Sequence, residues 1–239
     1  MPARGAAAGG VNRVLRYSGE MKADEHPVAE RLRPFGTTIF AEMTRLAVAH
    51  EAINLSQGFP DFDGPDFVKQ AAIEAIRAGH GQYARMQGVP ALNQAIARRW
   101  GDDLGLDIDP DRQVTVTSGC TEAIAAAMLG LVNPGDEVIL FEPFYDSYRA
   151  CVAMAGGVAK FVALRAAEGE FFLDEAELRA AFTPKTRVLL LNTPHNPTGK
   201  VFSEQEMTLI ATLCEEHGVV VVTDEVYEHL VYEADQPHM

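Results

Sequence analysis

The sequence predicts an α/β protein with a mostly parallel central sheet and helices on both faces. Three observations lead there. From Asp109-Pro110 onward, short apolar runs alternate with longer segments of helical spacing, which is the pattern of repeated βα units. The run Val219-Val220-Val221-Val222, after His217-Gly218, is β-branched throughout and does not alternate, as expected of a strand buried on both faces. No low-complexity linker interrupts the chain after Arg31, so these units form one continuous domain.

In chain order, Met1 to Gly10 is rich in Ala and Gly, and Arg4, Arg13 and Arg16 precede the first acid at Glu20. A basic start of this kind is compatible with a transit peptide, but no apolar core follows and serines are few, which favours a disordered extension. Residues 1–30 are expected to be a disordered extension, with Met21 as an alternative initiator. Arg33-Pro34-Phe35-Gly36 is a turn, and Ile39, Phe40, Met43, Leu46 and Ala47 repeat at helical spacing behind Thr37-Thr38. After an extended piece at 53–55 comes Gln57-Gly58-Phe59-Pro60-Asp61-Phe62-Asp63-Gly64-Pro65, a loop whose backbone amides are free to meet a ligand. Helices are expected at about 66–78 and 89–104, with Tyr83 on the loop between them.

The alternation then runs strand 113–117, helix 119–131, turn Asn133-Pro134-Gly135-Asp136, strand 137–141, helix 145–155 and strand 158–162. A helix at 174–182 and a strand at 187–192 follow. The next helix begins at Ser203, whose pairing with Glu206 reads as a capping box. The valine strand completes the set.

The 239 residues allow one large domain with a core, or part of something larger. With 34 acids against 20 Lys plus Arg, the net charge of -14 argues against nucleic acid or an anionic membrane as partner. No apolar run approaches a membrane span. The three cysteines, Cys120, Cys151 and Cys214, form no CxxC pair, which fits a reducing cytoplasm, and the seven histidines show no zinc spacing.

Four strand ends carry chemistry. Ligands of open α/β sheets collect at the carboxyl ends of strands. There Asp224 either faces a ligand or caps the segment after it. Thr117-Ser118-Gly119-Cys120-Thr121-Glu122 joins a strand to a helix, where free first-turn amides suit a phosphate, although plain capping would look the same. It is neither a P-loop nor a GxGxxG fingerprint, which disfavours an ordinary nucleotide-binding domain. Glu142-Pro143-Phe144-Tyr145-Asp146 brings rings to the same rim, either to stack on a flat heterocycle or to fill the core. Asn192-Thr193-Pro194-His195-Asn196-Pro197-Thr198-Gly199 is a constrained loop presenting Asn196. A phosphate cradle, an aromatic plate, an amide donor and an acid followed by Tyr227 together suit pyridoxal phosphate, whose ring nitrogen a carboxylate at Asp224 would keep protonated.

These segments, with Asn54-Leu55-Ser56-Gln57-Gly58-Phe59-Pro60-Asp61-Phe62 and Gln82-Tyr83, resemble the class I/II aminotransferases of fold type I, in particular the branch of kynurenine, glutamine and methionine aminotransferases. The resemblance implies that Cys120 and Thr121 give amides to the cofactor phosphate and that Tyr145 stacks on the pyridine ring. It places Val226 on the ring's other face, Asn196 and Tyr227 at the phenolic oxygen, and Asp224 at the ring nitrogen. Gly58 and Asn196 would meet the substrate carboxylate, and Tyr83 the phosphate of a neighbouring subunit, hence a homodimer. In this reading 31–60 is an N-terminal arm and small-domain segment, and 61–239 a large pyridoxal-phosphate-binding domain. The reaction implied transfers an amino group from an amino acid to a 2-oxo acid; N-succinyldiaminopimelate aminotransferase and C-S lyase activities share the same framework.

One departure stands out. The family's catalytic lysine and carboxylate-binding arginine lie downstream of the Asp-x-x-Tyr motif, and Lys22, Lys69, Lys160, Lys185 and Lys200 match no catalytic position, so surface solvation is their expected role. The 239 residues are therefore expected to be an amino-terminal portion with an incomplete sheet, prone to aggregate through exposed edges. Without the lysine, transamination lacks its base. A non-catalytic pyridoxal-phosphate-binding module is the competing reading, against which residues 1–30 show no helix-turn-helix.

Overall fold

The structure is a computed structural model that describes residues 28–58, 60 and 62–232. The expected disordered extension therefore lies outside the described residues except for 28–30. A single 3-10 turn at Glu30–Leu32 leads to three helices, α1 (Ile39–Ala49), α2 (Asp66–Arg77) and α3 (Pro90–Leu104). The alternating part follows as α4 (Cys120–Leu131), β1 (Glu137–Glu142), α5 (Ser147–Met154), β2 (Val158–Ala167), β3 (Glu170–Leu173), α6 (Glu175–Ala181), β4 (Thr186–Asn192), α7 (Glu204–His217) and β5 (Val220–Asp224).

The five strands form one sheet in the order β3-β2-β1-β4-β5. All neighbours are parallel except β2 and β3, which form an antiparallel hairpin. Successive strand residues point to opposite faces. Val138, Leu140, Val188 and Leu190 accordingly pack with Ile124 and Met128 of α4 and Tyr148, Cys151 and Val152 of α5. Ile139, Phe141, Leu189 and Leu191 pack on the other side with Leu178 of α6 and Ile210, Leu213 and Cys214 of α7. Helices on both faces are thus observed. Each fully buried Leu or Ile contributes about 2–3 kcal/mol of transfer free energy. Local signals set the helix starts: Thr38 accepts from the Ala41 amide, Asp174 from Glu177, and Ser203 and Glu206 complete the capping box.

The structure corrects four expectations. Residues 113–117 form no strand; Val116 N–H donates to Gln87 O at 3.0 Å, but no ladder develops. Alternation makes a segment competent for a sheet, but a strand also needs a partner in register, and the described residues supply none there. The valine strand is not buried on both faces: as the sheet's edge, β5 leaves Val220 and Val221 more than a third exposed. The strand expected at 158–162 continues to 167, because turning at Glu168-Gly169 lets it pair with β3. Lys200, expected to be solvated, is only 11% exposed and pairs with Glu206 at 2.9 Å over the Phe202 ring.

Asn93 is the best-buried polar side chain before the sheet, at 0% exposure. Its Nδ2 donates to the carbonyls of Gln87, Pro110 and Val114 at 3.0, 3.2 and 3.0 Å, tying the end of the Tyr83 loop to the segment that enters α4. Gly88 is required beside it. Its φ is +113°, and a Cβ there would lie 2.8 Å from Asn93 Oδ1 and 2.7 Å from Val116.

Candidate functional site

A cavity of about 160 Å³ opens at the carboxyl rim of β4 and β5, lined by Cys120, Thr121, Ile124, Tyr145, Tyr148, Asn192, Asn196, Asp224, Val226 and Tyr227. Seven of the residues expected to act at a site meet here: Cys120, Thr121, Tyr145, Asn196, Asp224, Val226 and Tyr227. Two others do not: Gly58 lies on an exposed loop outside the lining, and Tyr83 is fully exposed away from it.

Each wall has a local cause. Gly119 starts α4 with φ +83°, a conformation that side-chain-bearing residues avoid, and no side chain caps this helix. Gly119 is thus the N-cap, and neither Ser118 nor Thr117 caps the helix through its side chain. Glu122 instead folds back on the Ser118 amide. As the first residues of a 12-residue helix, Cys120 and Thr121 have N–H groups with no intrahelical acceptor, at the positive end of the helix dipole. Tyr145 is half-buried, edge-on to Tyr148 (5.7 Å between centroids) and tilted against Phe40 of α1 (6.3 Å).

Asp224 ends β5 and is 6% exposed. Its Oδ2 accepts from the Tyr148 hydroxyl at 2.7 Å and its Oδ1 from the Val226 amide at 3.2 Å. The carboxylate thus both shapes the following turn and lines the cavity, so the two readings of this acid are compatible. Its backbone carbonyl accepts from Asn192 Nδ2 at 2.9 Å and from the Thr193 amide at 3.1 Å. Asn196 Nδ2 and the Tyr227 hydroxyl stand 3.5 Å apart. That is too long for a strong hydrogen bond between them and leaves both able to turn to a shared acceptor.

Burial, the Asp224 charge and a hydrogen bond to Asp224 push the Cys120 thiol up to about 11, so it stays protonated at neutral pH. Burial and the same carboxylate push the Tyr148 phenol well above its ordinary range, fixing it as a donor. His195, in the loop after β4, is 3% exposed with Nδ1 2.8 Å from Thr198 Oγ1. Burial, then the Lys200 charge, lowers it to about 4 and holds it neutral.

Tyr148 and Asn192 are the residues that sequence reasoning missed. Tyr148 follows Tyr145 by three positions, one helical turn along the same face. Asn192 is a polar residue ending an otherwise apolar strand. Both signals were local, yet neither named a partner. A larger open cleft of about 980 Å³ adjoins the cavity, sharing Asn196 and Tyr227 and lined also by Phe172, His195, Lys200 and Tyr232. The smaller cavity alone combines a buried acid, helix-terminal amides and an aromatic wall, and so is suited to a flat, phosphate-bearing, nitrogen-containing ring. No lysine lines it.

The family model for aminotransferase class I and II matches residues 50–238. The probable N-succinyldiaminopimelate aminotransferase DapC of Mycobacterium tuberculosis is 53% identical over 203 residues, covering 85% of this chain and 51% of that protein. The methionine aminotransferase of Escherichia coli is 44% identical over 200 residues, covering 84% and 51%. The solved structure of N-succinyldiaminopimelate aminotransferase from Mycobacterium tuberculosis superposes with a TM-score of 0.84 at 51% identity, over 88% of this chain and 55% of that one. The chain spans about half the length of the curated relatives it matches.

Proposed function

This chain belongs to the class I and II aminotransferases, and from that premise we propose that the cavity is a pyridoxal-phosphate site serving amino-group transfer from an amino acid to a 2-oxo acid. The observation that carries the proposal is the convergence on one cavity of Asp224, the first amides of α4, Tyr145 and the Asn196–Tyr227 pair. The donor set fits the cofactor group by group. The amides of Cys120 and Thr121 would hold the phosphate, helped by the helix dipole. Tyr145 would lie on one face of the ring and Val226, 62% exposed, on the other. Asp224, held by Tyr148 and the Val226 amide, would keep the ring nitrogen protonated. Asn196 and Tyr227 would donate to the phenolic oxygen.

Bound pyridoxal phosphate supplies an electron sink for the substrate's α-carbon. The described residues would bind and orient it and exclude water from Asp224, while Lys69, Lys160, Lys185 and Lys200 stand outside the cavity, so none of these four is placed as a proton-transfer base. Gly58 is assigned to the substrate carboxylate together with Asn196. Tyr83, exposed on its loop, is assigned to the phosphate of a second copy, which makes the working unit a homodimer. Residues 31–60 are an arm and small-domain segment, and the large domain begins at about 61. Three free thiols support a cytoplasmic setting, and no helix among the described residues is long and apolar enough to cross a membrane.

For the substrate, N-succinyldiaminopimelate is favoured over methionine by the higher identity to the relative so named, 53% against 44%. Titration of the protein with pyridoxal phosphate, followed by ligand fluorescence, tests the site. Saturable binding weakened roughly 30-fold or more in Asp224→Asn is expected from loss of a charged hydrogen bond. Binding that is absent, or indifferent to both Asp224→Asn and Tyr145→Ala, would overturn it. Substrate choice is read from amino-donor-dependent 2-oxo acid formation by the full-length protein; a methionine rate above the N-succinyldiaminopimelate rate reverses the preference.

A further inference from the structure

We infer that Asn192 is a positioning residue that sets the spacing between the two polar groups assigned to the cofactor's ring nitrogen and its phenolic oxygen, the Asp224 carboxylate and the Asn196 amide. The inference rests on the cofactor reading above. Asn192 ends β4 directly beside Asp224, its register partner in β5, and is 2% exposed. Its one carboxamide works in both directions: Nδ2 donates to the Asp224 carbonyl at 2.9 Å, and Oδ1 accepts from the Asn196 backbone amide at 2.6 Å. A single rigid plane therefore joins the residue carrying the acid to the residue carrying the amide donor.

The rest of the loop does not make that connection. His195 N–H to Lys200 O (2.8 Å), Gly199 N–H to His195 O (2.7 Å) and the His195–Thr198 side-chain bond fold the loop onto itself. Thr193 N–H to Asp224 O ties only the loop's first residue to β5, three positions short of Asn196. The direct approach of Asn196 to the β5 side, through Tyr227, is 3.5 Å and weak. Asn192 is the strong tie that reaches both groups.

Side-chain chemistry explains why this residue type is needed. A buried site that must give a hydrogen bond at one end and take one at the other accepts a carboxamide and little else. Asp keeps the size and the acceptor but loses the donor and sets a negative charge against the Asp224 carbonyl. Leu keeps the approximate size and loses both bonds, leaving a buried carbonyl and a buried amide with one partner fewer. Ser keeps both polarities on a shorter arm.

The test separates the ring from the phosphate. Asn192→Asp, Asn192→Leu and Asn192→Ser are compared with the unsubstituted protein for affinity toward pyridoxal phosphate and toward inorganic phosphate, with a thermal melt on each. The first two should weaken pyridoxal-phosphate binding roughly 10- to 100-fold, with Ser between them and the parent. Phosphate affinity should stay within about twofold, because its amides belong to α4 and have no bond to Asn192. Unchanged pyridoxal-phosphate affinity in Asp and Leu would overturn the inference. So would an equal loss toward both ligands, which marks a general collapse of the site; if Leu fails to fold, Asp and Ser carry the comparison. If the unsubstituted protein binds pyridoxal phosphate no more tightly than inorganic phosphate, the cofactor reading itself fails, and the inference falls with it.

Discussion

The helices before the sheet and the sheet itself both carry large apolar residues and bury them to opposite degrees. α1 and α2 contain no buried residue, and α3 buries only Asn93. Phe67 and Ile76 of α2 are each 76% exposed and Leu55 is 89% exposed, whereas Val138, Ile139, Leu140 and Leu189 are at 0%. Amphipathic spacing makes a helix ready to bury a face, but only a matching surface makes it do so. Within the described residues the sheet provides that surface for α4 to α7. The apolar positions of α2 have none, and Tyr83 shares their exposure.

The largest effect expected is on the sheet side. Leu189→Ala should cost about 2–5 kcal/mol through lost transfer energy and a cavity. Phe67→Ala on α2 should stay within about 0.5 kcal/mol for the monomer. Denaturant unfolding measures both, and equal costs would erase the contrast between the regions.

A pH effect from the loop after β4 comes next. His195 binds its proton at about 4 in the native state and near 6.5 when unfolded, so the unfolded chain takes up more protons between these values. Its stability contribution is complete above pH 6.5 and is lost as pH falls toward 4, by about 3 kcal/mol at most. His195→Gln should flatten unfolding curves across that window; a slope that persists assigns it elsewhere.

Tyr148→Phe should follow, removing the 2.7 Å donor to Asp224. Pyridoxal-phosphate affinity should fall roughly 10-fold, and an unaltered dissociation constant would show that Asp224 is held without it.

The smallest test compares two helix caps. Ser203→Ala should lower global stability by about 1 kcal/mol, since α7 is welded to the core by Ile210, Leu213 and Cys214. Thr38→Ala removes the equivalent bond from α1, which buries nothing, and should fray that helix with little change in the unfolding midpoint. Amide hydrogen exchange distinguishes the two outcomes.

Legibility followed the range of the interaction. The capping box at Ser203-Glu206, the helices of the first half and the strands at 137–141 and 187–192 depend on residues within a few positions of one another, and their expected positions agree closely with those observed. The candidate site was legible in part: seven expected residues share one cavity, where the carboxyl ends of parallel strands and the start of α4 meet at one rim. Tyr148 was not, since its distinguishing feature is a bond to a carboxylate 76 positions away. Nor was Asn192, whose two bonds reach Asp224 and Asn196.

By itself the sequence determined the helices, the parallel strands from 137 onward, the two-faced core, and which chemical groups stand at strand ends, because periodicity, caps and turn residues act locally. Only the tertiary structure decided which apolar strand became interior and which became edge. Val188-Leu189-Leu190-Leu191 and Val219-Val220-Val221-Val222 read alike, yet the first has neighbours on both sides and the second on one. It also left 113–117 without a partner and gave Asp224 its phenol and amide donors. Burial and pairing are relations between distant segments, and no single segment encodes its neighbour.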